Sequence, residues 1–146
     1  MILRVEHIGV AVKEMNAANK LFESLLGLSN YKMEEVKSEG VSTSFFKTGE
    51  SKIELLEATS EDSPIAKFIS KKGEGIHHIA FETDDIISEM ARLRSMGFEL
   101  LSEVPKIGAD NKLICFLHPR STNGVLIELC QEINLNSFSS SHSFSK

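Results

Sequence analysis

The sequence has 146 residues, 41% of them hydrophobic, which is enough for one substantial core in a domain of ordinary size. Its 21 acidic and 16 basic residues leave a formal net charge of -5, so there is no basic field to attract a phosphate backbone and nucleic acid is not an expected partner. The opening Met1-Ile2-Leu3-Arg4-Val5-Glu6 turns charged too soon for a signal peptide, and no stretch has the length of a membrane span, so no membrane partner is expected either.

The first element read along the chain is a strand at residues 7–12, His-Ile-Gly-Val-Ala-Val, with Ile8, Val10 and Val12 as its bulky face. Met15, Ala18, Leu21, Phe22 and Leu25 then recur at helical spacing, and Gly27 stands where a left-handed C-cap would end the helix. A further strand is expected around Tyr31 to Val36. Val41 to Thr48 and Lys52 to Glu57 read as a strand pair joined by the three-residue connection Gly49-Glu50-Ser51. Ser63-Pro64 predicts an N-cap with proline in the first helical position, followed by the stripe Ile65, Phe68, Ile69 of a short helix. After a linker through Gly75 the pattern returns: a strand at residues 78–83, a cap at Asp84 or Asp85, the stripe Ile86, Met90, Leu93, Met96, and Gly97 as its end. Leu113 to His118 and Gly124 to Cys130 form a second terminal strand pair. From Asn134 the chain is serine-rich without apolar periodicity, which predicts a disordered tail.

The recurrence is regular. His7 and His78 are 71 positions apart, Gly27 and Gly97 are 70 apart, and Ile53-Glu54-Leu55 returns as Ile127-Glu128-Leu129 after 74. Three agreeing offsets read as a tandem duplication. The expected organisation is a first βαβββ module over 1–62, a connecting helix and linker over 63–75, a second βαβββ module over 76–132, and the tail over 133–146. The fold class is α+β, the two modules forming one β-cup.

Strand alternation then gives the repeat a chemical meaning, because successive residues face opposite sides of a sheet. If Ile8, Val10 and Val12 pack on the first helix, and Ile79 and Phe81 on the second, His7 and His78 face away from the helices. Glu54 and Glu128, flanked by Ile53, Leu55, Ile127 and Leu129, do the same. Gly9, Ala11 and Ala80 leave room beside them for a ligand. Two imidazoles and two carboxylates on one concave surface suit one divalent ion such as Co, Mn, Ni, Zn or Fe(II), with two positions of an octahedral shell left for a chelating substrate. The same alternation puts His77 on the opposite face from His78, as a hydrogen-bonded wall residue. His118 before Pro119 is placed at the cup's mouth and His142 in the tail. Cys115 and Cys130 lie in apolar strands without metal spacing, so buried free thiols in a reducing compartment are expected: the cytoplasm, or the mitochondrial matrix for a eukaryotic chain whose presequence has been removed. No GxSxG, HExxH, P-loop or GxGxxG pattern occurs, which removes the common hydrolase, zincin and nucleotide-binding readings.

With these residues in place, residues 4–132 resemble the vicinal oxygen chelate superfamily and, within it, the methylmalonyl-CoA epimerases. The narrower resemblance rests on Asp62-Ser63-Pro64-Ile65-Ala66, Gly75-Ile76-His77-His78-Ile79, Pro105-Lys106-Ile107-Gly108-Ala109, Phe116-Leu117-His118-Pro119 and Gly124-Val125-Leu126-Ile127-Glu128-Leu129. It implies metal ligation by His7, Glu54, His78 and Glu128, an acyl-CoA substrate and a homodimer. The implied reaction interconverts (R)- and (S)-methylmalonyl-CoA by α-proton abstraction through a metal-chelated enolate, with Glu128 as the base on one face. The second base is open between Glu54, Glu39 and a water held by Thr43 or His77. Some bacterial members place a catalytic Glu where this chain has Thr43. Thr43, Lys106, His118 and Arg120 are the expected substrate-binding residues. Two other readings are weighed against this one: a glyoxalase-type isomerase with the same metal chemistry, and a non-catalytic binding module that keeps the cup alone.

Overall fold

The computed structural model describes residues 1–134, so the serine-rich tail and His142 lie outside the described residues, apart from Ile133 and Asn134. Eleven principal elements are present. They are β1 (Ile2–Ala11), α1 (Met15–Leu26), β2 (Lys32–Val36), β3 (Val41–Thr48), β4 (Ser51–Ala58), α2 (Pro64–Lys72), β5 (Gly75–Thr83), α3 (Ile86–Ser95), β6 (Lys106–Gly108), β7 (Lys112–Leu117) and β8 (Ile127–Glu132).

The helix ends follow from local chemistry. Glu14 accepts from the backbone N–H groups of Asn16 and Ala17 at 3.0 and 2.7 Å to start α1, and Gly27 at φ 69° closes it in the left-handed conformation. The Ser63 hydroxyl accepts from the Ala66 N–H at 3.1 Å, with Pro64 in the first turn. Asp85 caps α3 through the Ser88 N–H. That helix stops at Ser95, with Met96 as its cap and Gly97 one residue beyond.

Some boundaries differ from the sequence expectation, each for a visible reason. β1 begins five residues before His7, because Ile2 to Val5 pair with β5, with Arg4 ion-paired to Glu82 at 2.6 Å. The β3–β4 connection is the two-residue Gly49-Glu50, since Thr48 pairs directly with Ser51 and Gly49 takes φ 69° at the first loop position. β8 starts at Ile127 because the preceding segment turns: Asn123 and Gly124 have positive φ, and the Gly124 N–H bonds the Pro119 carbonyl.

All eight strands form one sheet in the order β2-β3-β4-β1-β5-β8-β7-β6. β1 runs parallel to β4, β5 runs parallel to β8, and the two halves meet along the antiparallel β1–β5 pair. The order reads the same from either edge inward when β1–β4 are exchanged for β5–β8, which is the expected doubled topology. On the outer face α1 packs on Val12, Phe46 and Leu55, and α3 on Cys115, Leu117 and Leu129. Ile79 and Phe81 are only half-buried, so β7 and β8 supply most of the α3 contact. The linking helix α2 does something else: Ile65 packs with Ala11, Val41 and Leu56, residues of the inner face, so α2 walls one side of the cup. No helix among the described residues is long and apolar enough to cross a membrane.

Candidate metal centre

The site is assembled where the two halves meet. Gly9 of β1 stands opposite His78 of β5, and His7 opposite Ala80. In the parallel ladders Gly9 stands beside Glu54 and Ala80 beside Glu128, so each carboxylate comes from the strand next to a central one. All four side chains are buried, at 4–5% exposure. His7 Nε2 lies 2.9 Å from His78 Nε2 and 3.2 Å from an oxygen of each of Glu54 and Glu128. His78 Nε2 is 2.9 Å from the same Glu128 oxygen, Oε2. Donor atoms of His7, Glu54 and His78 all lie within 4.8 Å of one another, and Glu128 reaches both imidazoles.

Two irregularities in the β1–β5 ladder shape this centre. The register slips between Val5 and His7, leaving Glu6 extra in β1, and between Gly9 and Val10, leaving His77 extra in β5. Alternation is broken at both places. His77, expected on the far side, instead lines the cavity with His78, and the two Nδ1 atoms are 2.9 Å apart. Phe68 of α2 stacks edge-on against His77, the ring centroids 5.0 Å apart. Glu6 is buried and its Oε2 lies 2.5 Å from His7 Nδ1. The room beside Gly9 is not free for a ligand either, because the His78 ring fills it: a Cβ there would sit 2.2 Å from the ring.

Burial and charge act on these groups in opposition. Burial disfavours the His7 cation, but hydrogen bonds to Glu128 and Glu6 and the charge of Glu54 outweigh it and raise its pKa well above the usual histidine range. Glu128 is disfavoured as an anion by its burial, yet bonds from His7 and His78 hold it far below the usual carboxylate value. For Glu54 burial wins: the charge of His7 opposes it only in part, and the charges of Glu128 and Glu6 reinforce it, so the carboxyl is pushed up to about 8. Burial drives His77 down to about 4, helped by the neighbouring His78.

The centre forms one wall of a cavity of about 350 Å³. Glu54, His77, His78 and Glu128 are among its polar lining residues, and Val41, Leu56, Ile65, Ile114, Phe116 and Leu126 are among its apolar walls. Thr43 and Lys106 line it, and so does Glu39, whose Oε1 pairs with Lys106 Nζ at 2.6 Å. His118 and Arg120 do not. They lie in the turn after β7, where His118 Nδ1 accepts from the Arg120 N–H and the Arg120 guanidinium is tied to Glu99 at 2.8 Å. Glu6 went unnoticed in the sequence, although its place before His7 corresponds to that of His77 before His78 in the repeat.

A family profile described as Glyoxalase/Bleomycin resistance protein/Dioxygenase superfamily matches residues 6–116. The chain belongs to that superfamily. Among relatives within this superfamily, the ethylmalonyl-CoA/methylmalonyl-CoA epimerase of Cereibacter sphaeroides is 41% identical over 133 residues, covering 90% of this chain and 99% of the relative. The human mitochondrial methylmalonyl-CoA epimerase is 39% identical, covering 88% of this chain and 73% of its own length. Among solved structures, a variant of the Streptomyces coelicolor methylmalonyl-CoA epimerase in complex with 2-nitronate-propionyl-CoA superposes with a TM-score of 0.88 at 34% identity, covering 92% of this chain and 100% of that one. The superfamily's habit of holding a divalent metal is matched by the donors present. Two imidazole nitrogens facing each other across 2.9 Å, with carboxylate oxygens on both sides, form a borderline-to-hard ligand set drawn together in a buried place.

Proposed function

We propose that this chain is a methylmalonyl-CoA epimerase that works with one divalent ion held by His7, Glu54, His78 and Glu128. The observation that carries the proposal is the convergence of those four buried side chains, of which Glu54, His78 and Glu128 open onto a cavity walled in large part by apolar residues. A divalent ion there supplies Lewis-acid stabilisation of the oxyanion that develops when the carbon between thioester and carboxylate loses its proton. Co, Mn, Ni, Zn and Fe(II) all suit these donors.

The chain's own residues do the rest. Glu128 is the base on one face: both of its imidazole contacts use Oε2, which leaves Oε1 to take the α-proton. On the opposite face Glu54, Glu39, or a water held by Thr43 or His77 returns the proton, and all four groups border the cavity. The apolar walls exclude water around the reacting carbon. Lys106, on the same wall, is the cation assigned to the acyl-CoA, meeting its carboxylate or a phosphate once Glu39 yields. The assembly proposed is a homodimer, which sedimentation equilibrium reads directly, and a reducing compartment is proposed from its two buried free thiols, Cys115 and Cys130.

The test is solvent-deuterium exchange into methylmalonyl-CoA, followed by NMR on metal-reconstituted protein, with ethylmalonyl-CoA alongside. Wild type should exchange the α-proton of at least one of them. Glu128→Gln should keep its fold and lose exchange by about 10² to 10⁴-fold, the usual worth of a positioned base. Wild-type protein that binds metal and leaves both thioesters unexchanged would remove the epimerase reading, and exchange at the wild-type rate by the variant would remove Glu128 as the base.

A further inference from the structure

Behind the metal centre lies a polar pocket that the proposed reaction does not use, lined by Tyr31, Lys47, Lys52, Asp110, Lys112 and Glu132. Two of its lysines reach Glu6: Lys52 Nζ is 2.7 Å from Glu6 Oε1, and Lys112 Nζ is 3.7 Å from it. The other oxygen, Oε2, lies 2.5 Å from His7 Nδ1. Glu6 is 4% exposed, so a carboxylate has been placed deep in the fold with every partner specified. It is there because of the bulge. In a regular strand Glu6 would face away from His7, whereas the slip between Val5 and His7 turns it behind the imidazole.

The other half of the repeat makes the comparison internal. His77 is the bulged residue before His78 and touches the same ring nitrogen, Nδ1, but presents an imidazole where Glu6 presents a carboxylate. Each candidate metal imidazole is thus backed by its own preceding residue, and only His7 is backed by an anion. A carboxylate on Nδ1 accepts that atom's N–H, which fixes the tautomer with its lone pair on Nε2 and raises the basicity of Nε2. Nε2 is the atom aimed at Glu54, His78 and Glu128.

We propose that Glu6 is a positioning residue of the metal centre, holding the His7 ring by Nδ1 so that Nε2 is presented to a divalent ion, with Lys52 fixing the carboxylate from behind. The inference rests on the metal reading given above. A merely structural Glu6, present to pair with Lys52, would affect folding and leave metal affinity alone.

Co(II) serves as the probe, titrated into metal-free protein and followed by its visible absorption and by calorimetry. Glu6→Gln keeps the shape and removes the charge, and its Co(II) affinity should fall about tenfold; Glu6→Ala should approach a hundredfold loss, the range for residues that support a ligand from behind. The visible bands should shift in both variants. An affinity and spectrum equal to wild type in folded Glu6→Gln would overturn the inference while leaving the metal reading intact. Wild-type protein that takes up no Co(II) would overturn both. Should the variants fail to fold, ¹⁵N NMR of the wild-type histidines in Zn(II)-loaded protein decides alone: a protonated Nδ1 and a metal-bound Nε2 on His7 support the inference, and metal on Nδ1 overturns it.

Discussion

Glu54 and Glu128 are the same residue type on the same inner face, and their surroundings drive them in opposite directions. Glu128 receives both imidazoles and stays ionised, whereas Glu54, buried beside two other carboxylates, is pushed from 4.5 up to about 8. In metal-free protein the folded chain therefore keeps a proton on Glu54 that the unfolded chain loses between pH 4.5 and about 8. The stabilising contribution is full below pH 4.5 and is lost as pH rises through about 8. Glu54→Gln removes that slope. The metal-free variant should match wild type near pH 4.5 and exceed it at pH 8 by a few kcal/mol, on the order of the shift converted to free energy, while its divalent affinity falls. Urea midpoints across that range give the answer, and an unchanged slope in the variant would refute the assignment. At this scale the sequence was informative in part. The quartet was legible because the repeat offsets coincide and alternation aims His7, Glu54, His78 and Glu128 inward. Glu6 and His77 were not, because a bulge inverts alternation and leaves no mark in the residue pattern. His118 and Arg120 looked available as substrate contacts, but each is engaged within its own turn or by Glu99.

The central strands β1 and β5 approach so closely at Gly9 that the His78 ring occupies the volume a side chain would take, with a would-be Cβ at 2.2 to 2.8 Å from three ring atoms. Here glycine is a packing requirement. Gly9→Ala must displace the ring of a candidate ligand or part the two strands, so divalent affinity should drop at least tenfold, with about 1 to 3 kcal/mol lost from stability through overpacking. A Co(II) titration paired with thermal unfolding separates the two effects, and unchanged affinity would show that His78 is not seated as described. The element reading succeeded where a signal is local: Ser63-Pro64 at α2, Asp85 at α3 and Gly27 after α1 all act as the sequence suggested. It fell short where the signal is not local. β6 is only three residues, too short for periodicity, and is defined by its pairing with Ile114, Leu113 and Lys112. The early start of β1 likewise depends on β5, whose partner residues lie some 80 positions away.

Across the whole molecule the sheet leaves two edges, β2 and β6, and no ladder joins them among the described residues. Side chains bridge the gap. Lys106 of β6 meets Glu39 beside the cavity, and the far end is tied by Asp110, just after β6. Its oxygens accept from Lys32 Nζ at 2.8 Å, Lys52 Nζ at 2.9 Å and the Tyr31 hydroxyl at 3.1 Å, and its backbone N–H donates to Glu34 Oε2 at 2.8 Å. Since Lys52 also holds Glu6, the tie that closes the sheet is continuous with the support behind His7. Asp110 stands at φ 58°, a conformation asparagine adopts readily, so Asp110→Asn removes the charge without straining the backbone. Loss of two partly buried ion pairs should cost about 1 to 3 kcal/mol. The location of the effect is more diagnostic than its size. If Asp110 closes the sheet, amide exchange in Asp110→Asn should accelerate in β2 and β6 by more than the global loss of stability accounts for, whereas β1 and β5, whose paired interior strands unfold only globally, should accelerate by that loss and no more. Uniform acceleration across all eight strands would mean that the cup is held by its core alone and that the edge contacts are incidental.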